Sequence, residues 1–176
     1  MHIKNIFITG DKGVGKSTLI EKLIVENDLE KQIGGFKTLP YYDVLVRKGF
    51  YLHSLLEVAG NDQPISWQKD DVSCEPIACT FESLGVELLE TCLRSDKPYV
   101  LMDEVGVLER EAYVFQNTVI KVLASHKIVI GVLKDKPHSF LQHIKGRSDT
   151  KVYTLEGSNF NQIFKSIQED LSKVEV

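Results

Sequence analysis

Apolar positions recur along this chain in two rhythms, and the rhythms sort it into strands and helices. Short continuous runs at Ile6-Phe7-Ile8, Tyr99 to Met102, Ile128 to Leu133 and Val152 to Leu155 read as strands buried on both faces. Helical spacing marks Leu19, Ile20, Leu23 and Ile24, with an end near Asn27-Asp28. It recurs in Phe81, Leu84, Leu88, Leu89 and Cys92, a helix ended by Ser95-Asp96-Lys97-Pro98, and in Ala112, Phe115, Val119, Val122 and Leu123. A short helix follows around Phe140, Leu141 and Ile144. The last carries Phe160, Ile163, Phe164, Ile167 and Leu171, with Ser158 or Asn159 as its cap. From residue 81 onward helices alternate with apolar strands, which predicts a mostly parallel sheet covered on both faces.

The stretch between the first helix and residue 81 behaves differently. Ile33 to Thr38, Val44 to Val46 and Phe50 to Leu56 are β-prone runs broken by Pro40 and Lys48-Gly49, as expected of a hairpin-like antiparallel edge. Residues 57 to 79, with Gly60-Asn61-Asp62, Asp70-Asp71 and Pro76, hold no sustained period and read as a long loop. Trp67 within it reads as a cap on the core, with stacking on a base as the alternative. The fold class is therefore α/β in three layers, one domain over 1–176, with a mainly parallel central sheet.

Chemistry enters between the first strand and the first helix. Gly10 to Thr18 fits G-x-x-x-x-G-K-[ST], the phosphate-binding loop. A polyphosphate carries several negative charges, and only backbone free of side chains can aim a series of N–H groups at its oxygens. The candidate nucleotide-binding stretch is thus Gly10, Asp11, Lys12, Gly13, Val14, Gly15, Lys16, Ser17 and Thr18. Lys16 is expected to reach the β- and γ-phosphates and to act in catalysis, and the Ser17 hydroxyl to ligate Mg²⁺.

Ligands of such sheets bind at the carboxyl ends of the strands, so a partner for the loop is expected at another strand end. The apolar run ending at Met102 closes with Asp103-Glu104-Val105-Gly106. Asp103 suits the same Mg²⁺, and Glu104 beside it suits the polarisation of a water aligned with the γ-phosphate. Phosphoryl transfer also needs positive charge near the γ-oxygens. Of the four arginines, Arg110 and Arg147 lie in loops from which they could supply it, although an exposed arginine is more often only solvated.

Composition narrows the classes. Across 176 residues the chain is 43% hydrophobic with a formal net charge of −4 and no dense basic run, which argues against nucleic acid as the main partner. No apolar stretch is long enough to span a bilayer, so no membrane partner is expected. Cys74, Cys79 and Cys92 form no C-x-x-C pair and read as free thiols of a cytoplasmic protein. The oligomeric state is left open.

Several stretches together carry a resemblance. Gly-Val-Gly-Lys-Ser-Thr-Leu at 13–19, Gly35-Phe36-Lys37-Thr38, Lys48-Gly49-Phe50, Asp103-Glu104-Val105-Gly106 with Glu109 and Phe115, Ile144-Lys145-x-Arg147-x-Asp149, and Asn159 resemble the small nucleoside-triphosphatases of thermophiles and the cancer-related nucleoside-triphosphatase of animals. The resemblance implies a RecA-like or kinase-like P-loop fold, with one strand between the Asp103 strand and the first. It also implies slow, Mg²⁺-dependent hydrolysis of ATP, GTP and other nucleoside triphosphates to the diphosphate. The chain departs from the family pattern at Lys12, at Leu108-Glu109-Arg110 and at Leu39-Pro40, the last in the region expected to face base, ribose or acceptor. Two other readings stay open beside hydrolysis. One is a nucleoside or small-molecule kinase with an acceptor pocket framed by residues 37 to 80. The other is a GTP-dependent switch, suggested by Asp103-x-x-Gly106 and opposed by Lys134-Asp135-Lys136 where Asn-Lys-x-Asp would stand.

Overall fold

The structure is a computed structural model that describes residues 3–70 and 73–174. Its centre is an eight-stranded sheet in the order β5-β4-β3-β2-β6-β7-β1-β8. The chain runs through β1 (Asn5–Thr9), α1 (Lys16–Glu26), β2 (Ile33–Asp43), β3 (Val46–Ser54), β4 (Gln63–Gln68) and β5 (Cys74–Pro76). A short α2 (Ala78–Thr80) and a wide π-helical turn (Phe81–Gly85) lead into α3 (Val86–Arg94). Then come β6 (Tyr99–Val105), α4 (Tyr113–Ala124), β7 (Ile128–Leu133), α5 (Ser139–Lys145), β8 (Thr150–Thr154) and α6 (Phe160–Leu171). Strands β2, β6, β7, β1 and β8 run parallel, and β3, β4 and β5 add an antiparallel edge.

Side-chain alternation along the strands builds the three layers. In β1, Phe7 joins the core under α3, α4 and α5, while Ile6 and Ile8 join the core under α1 and α6. In β6, Val100 and Met102 point to the first core and Leu101 to the second. The middle runs of β1, β6 and β7 thus bury both faces, which is why they show no polar interruption. The predicted helical faces are the buried ones, with Leu19, Ile20, Leu23 and Ile24 of α1 and Phe115, Val119, Val122 and Leu123 of α4 all inside. Phe115 tilts against Phe81 at 5.1 Å and Phe36 at 6.0 Å between ring centroids, tying β2 to the helices on that face.

Two readings of the polar stretch need correction. Residues 57 to 79 are not one loop, because β4 pairs with β3 and β5 pairs with β4. Both are short outer strands, and Pro64 falls beside the register shift opposite Tyr51, where a missing N–H costs least. Their pairing partners lie in other elements, so no local periodicity announces them. Trp67 does not cap the core; it is 48% exposed and meets Tyr41 edge-on at 6.3 Å. Asp71 of the predicted loop lies outside the described residues. Among the described residues no helix is long and apolar enough to cross a membrane.

The topology locates a crevice. From β1 the chain crosses leftward in the strand order to β2, whereas from β7 it crosses rightward past β1 to β8. Connections that diverge in this way leave a gap above the carboxyl ends of β1 and β7, where such sheets bind ligands. β7 separates β6 from β1, as the resemblance implies.

Candidate active site

β1 delivers the chain into the phosphate loop with its backbone already turned. Gly10 has φ +141°, and a Cβ there would sit 2.3 Å from the Leu155 carbonyl oxygen. Gly15 closes the loop at φ +102°, and α1 begins with Leu19 N–H donating to the Gly15 carbonyl. Side chains are thus excluded at both ends of the curl. The first turn of α1 has no side-chain cap and no acidic residue, so its N–H groups and positive dipole end are available to an anion. Lys16 arches back over the loop, its Nζ donating to the carbonyls of Gly10 at 2.9 Å and Asp11 at 2.7 Å.

β6 delivers the acidic couplet. Its ladder with β7 is regular to Met102 opposite Gly131, breaks, and resumes at Val105 opposite Leu133. The residues released from that ladder are Asp103 and Glu104, while Asp103 still pairs with Lys37 of β2. Sequence pattern ended the strand at Met102; the strand continues to Val105 with this break inside it.

Ser17 of the phosphate loop stands beside Asp103, close enough for its hydroxyl to favour the ionised Asp103 carboxylate. Two motifs far apart in the chain therefore meet at one point, and they meet through oxygens. Hydroxyl and carboxylate oxygens are the donors that a hard cation such as Mg²⁺ takes, so the pair fits that ion. Burial raises the Asp103 carboxyl above its ordinary value; the nearby Ser17 hydroxyl opposes the rise and neighbouring Glu104 adds to it. Among the described residues no cluster of three histidine, cysteine or acidic side chains offers a rival metal site.

A family profile described as NTPase matches residues 5–168. The chain belongs to the NTPase family. It is 33% identical over 168 residues to nucleoside-triphosphatase THEP1 of Thermotoga petrophila, covering 92% of this chain and 89% of that one. Against the cancer-related nucleoside-triphosphatase homolog of Bos taurus it is 27% identical, covering 93% and 94%. The crystal structure of THEP1 from Aquifex aeolicus superposes with a TM-score of 0.73 at 26% identity over the full length of both chains. The solution structure of a human cancer-related nucleoside triphosphatase gives 0.74 at 24% identity, over 98% of this chain and 100% of that one, a likeness of fold. The protein is thus an enzyme of the nucleoside-triphosphatase class with a P-loop fold.

Other residues expected at the NTPase site divide. Glu104 lies beside Asp103, its N–H 3.4 Å from Thr38 Oγ1 and its Oε1 2.8 Å from Lys134 Nζ. A narrow cleft here is lined by Thr38, Glu104, Gly106, Glu109 and Lys134. Arg110 stays at this end of the sheet but is exposed and faces Glu111 at 3.6 Å. Arg147 is at the wrong end. It precedes β8, whose first residue Thr150 pairs with Asn5 at the start of β1, so the length of the sheet separates it from the loop after β1. Its guanidinium holds Asp149 at 2.8 Å and the Leu123 carbonyl at 3.2 Å, which binds the end of α4 to the foot of β8. Burial alone would raise the Asp149 carboxyl, but Arg147 and Lys4 outweigh it and hold it low. Asn159 stands just before α6 as predicted, yet it does not cap the helix; its side chain bonds the Glu156 N–H and the Thr154 carbonyl.

Lys134 carries no motif of its own, standing in Lys134-Asp135-Lys136 where a base-reading motif would lie. The strand-end rule that found Asp103 would have found it, since it is the first residue after β7. Glu109 lines the same cleft and is buried. It is 2% exposed, accepts the Gly106 N–H at 2.6 Å, and burial pushes its carboxyl up to about 7.

Proposed function

We propose that the protein hydrolyses nucleoside 5′-triphosphates to the diphosphate and phosphate, with Mg²⁺ as cofactor. The observation that supports this reading is the approach of the Ser17 hydroxyl to the Asp103 carboxylate, the one from the phosphate loop and the other from the acidic couplet. Loop N–H groups and the α1 terminus bind the phosphate tail, and Lys16 exchanges its loop carbonyls for β- and γ-oxygens. Ser17 and Asp103 would hold the metal, which would supply charge neutralisation to the phosphate tail. Glu104 accepts a hydrogen bond from the attacking water and orients its oxygen toward the γ-phosphorus. The new P–O bond forms as the bond to the β–γ bridging oxygen breaks, and the water's proton leaves toward the carboxylate and solvent.

Recognition resides in the phosphates rather than the base, since the segment after β7 carries Lys134-Asp135-Lys136, with Lys134 engaged by Glu104 and Asp135 by Lys145. We therefore propose a broad range that includes ATP and GTP. The three free thiols support a reducing compartment, the cytoplasm.

The test is phosphate release from ATP, GTP, CTP and UTP, with Mg²⁺ and then with EDTA, for wild type, Lys16→Ala and Glu104→Gln. All four substrates should be turned over with Mg²⁺ and none with EDTA. Lys16→Ala should lose nucleotide affinity, and Glu104→Gln should bind nucleotide with turnover reduced about 10²-fold or more. Wild-type turnover by Glu104→Gln would remove that residue from the mechanism.

A further inference from the structure

Neither arginine weighed for the site touches the couplet: Arg147 lies at the opposite edge and Arg110 faces Glu111. A lysine stands there instead. Lys134 leaves β7 at the switch point, and it is held at three places along its length. Its backbone N–H donates to the Val105 carbonyl at 2.9 Å. Its aliphatic stem lies on Gly106, where an added Cβ would come within 2.9 Å of Lys134 Cδ. Its ammonium meets Glu104 Oε1 at 2.8 Å, the two side chains being 38% and 28% exposed.

Position 106 is thus small where the lysine crosses it, and a side chain that would otherwise sample many rotamers is directed to one carboxylate. Glu104 has need of such direction. It belongs to the two residues released from the β6–β7 ladder, and its N–H has only the long contact to Thr38. The Asp103 carboxylate next to it in the chain repels it. Lys134 supplies the attraction, as a charge-assisted hydrogen bond. From the far side Glu109 fixes the Gly106 N–H, so the turn that carries Glu104 is gripped at both ends.

We infer that Lys134 is the positioning residue of the hydrolytic step: its ammonium holds the Glu104 carboxylate in the orientation that meets the attacking water. The inference rests on the role proposed above for Glu104. Lys134 acts through that carboxylate and not on the nucleotide, so its loss alters kcat and leaves binding alone. Its effect also vanishes when Glu104 can no longer serve.

The experiment is a double-mutant cycle. Lys134→Met and Lys134→Arg are made in wild type and in Glu104→Gln; kcat and KM for ATP are measured with Mg²⁺, and the Kd of a non-hydrolysable ATP analogue with Mg²⁺ by calorimetry. Lys134→Met should lower kcat about 10²-fold, the scale of a displacement of about 1 Å, with Kd changed less than about twofold. Lys134→Arg should restore most of the loss. In Glu104→Gln, Lys134→Met should change kcat by less than about twofold. An equal loss in both backgrounds, an unchanged kcat in wild type, or a loss confined to Kd would each overturn the inference. If Glu104→Gln is impaired and Lys134→Met is not, this inference alone fails; if Glu104→Gln turns over normally, the Glu104 role falls and takes the inference with it. Lys134→Gln, with melting temperature followed alongside, replaces Lys134→Met should the latter not fold.

Discussion

Replacing Glu109 by glutamine should stabilise the fold above neutral pH and do little at pH 4.5. The carboxyl is buried, with Oε1 2.6 Å from the Gly106 N–H, and its pKa rises from 4.5 to about 7. Below pH 4.5 both the folded and the unfolded chain carry the proton, and the contribution is constant. Between 4.5 and about 7 the unfolded chain gives up the proton while the folded chain keeps it. The folded state then binds more protons, so stability falls as pH rises and the loss is complete above about 7. A gap of about 2.5 pH units corresponds to about 3 kcal/mol. Glutamine keeps the acceptor oxygen for Gly106 and has no proton to lose. The difference between variant and wild type should therefore open by about 3 kcal/mol from pH 4.5 to pH 8, or roughly 6–12 °C in melting temperature for a domain this size. Urea denaturation at pH 5, 6, 7 and 8 and constant ionic strength measures it. Parallel stability curves for the two proteins across that range would refute the assignment of a buried, proton-retaining carboxyl.

Two further outcomes follow from the same geometry. Gly10→Ala should abolish nucleotide binding and lower the melting temperature, since its Cβ meets the Leu155 carbonyl at 2.3 Å, whereas Gly13→Ala, with φ +82° and nothing within 4 Å, should cost only the strain of its backbone, about 1–2 kcal/mol. Calorimetry and thermal melting on the pair separate collision from strain. Arg147→Ala should cost about 1–3 kcal/mol through the loss of its bonds to Asp149 and Leu123, with kcat unaltered; a large fall in kcat in a well-folded variant would return Arg147 to the site.

Much of the site was legible from local spacing. The phosphate loop needs its glycines, lysine and hydroxyl within nine consecutive residues, and an acidic couplet closing an apolar strand is equally local. The same holds for the buried faces of α1, α4 and α6, whose period lies within a few turns. Strands β4 and β5 were illegible because their hydrogen bonds go to partners elsewhere in the chain, and polar outer strands carry no period of their own. Trp67 misled for a related reason. Its burial depended on whether anything packs beyond the outer strands, which no neighbouring residue reports.

Sequence alone therefore determined the chemical groups: a loop able to wrap phosphate, a hydroxyl, two carboxylates, and enough apolar strand to bury a sheet between two helical layers. Only the tertiary structure decided which groups share a site. Strand order sets one intervening strand between Asp103 and the loop, and the break in the β6 ladder falls at the couplet. That order sends Lys134 to Glu104 and Arg147 to the opposite edge. The reason is the direction of the parallel strands. All their carboxyl ends gather at one edge, so a residue just after a strand comes to the crevice and one just before a strand is carried a strand's length away, a distinction made by the fold and absent from the identity of the residue.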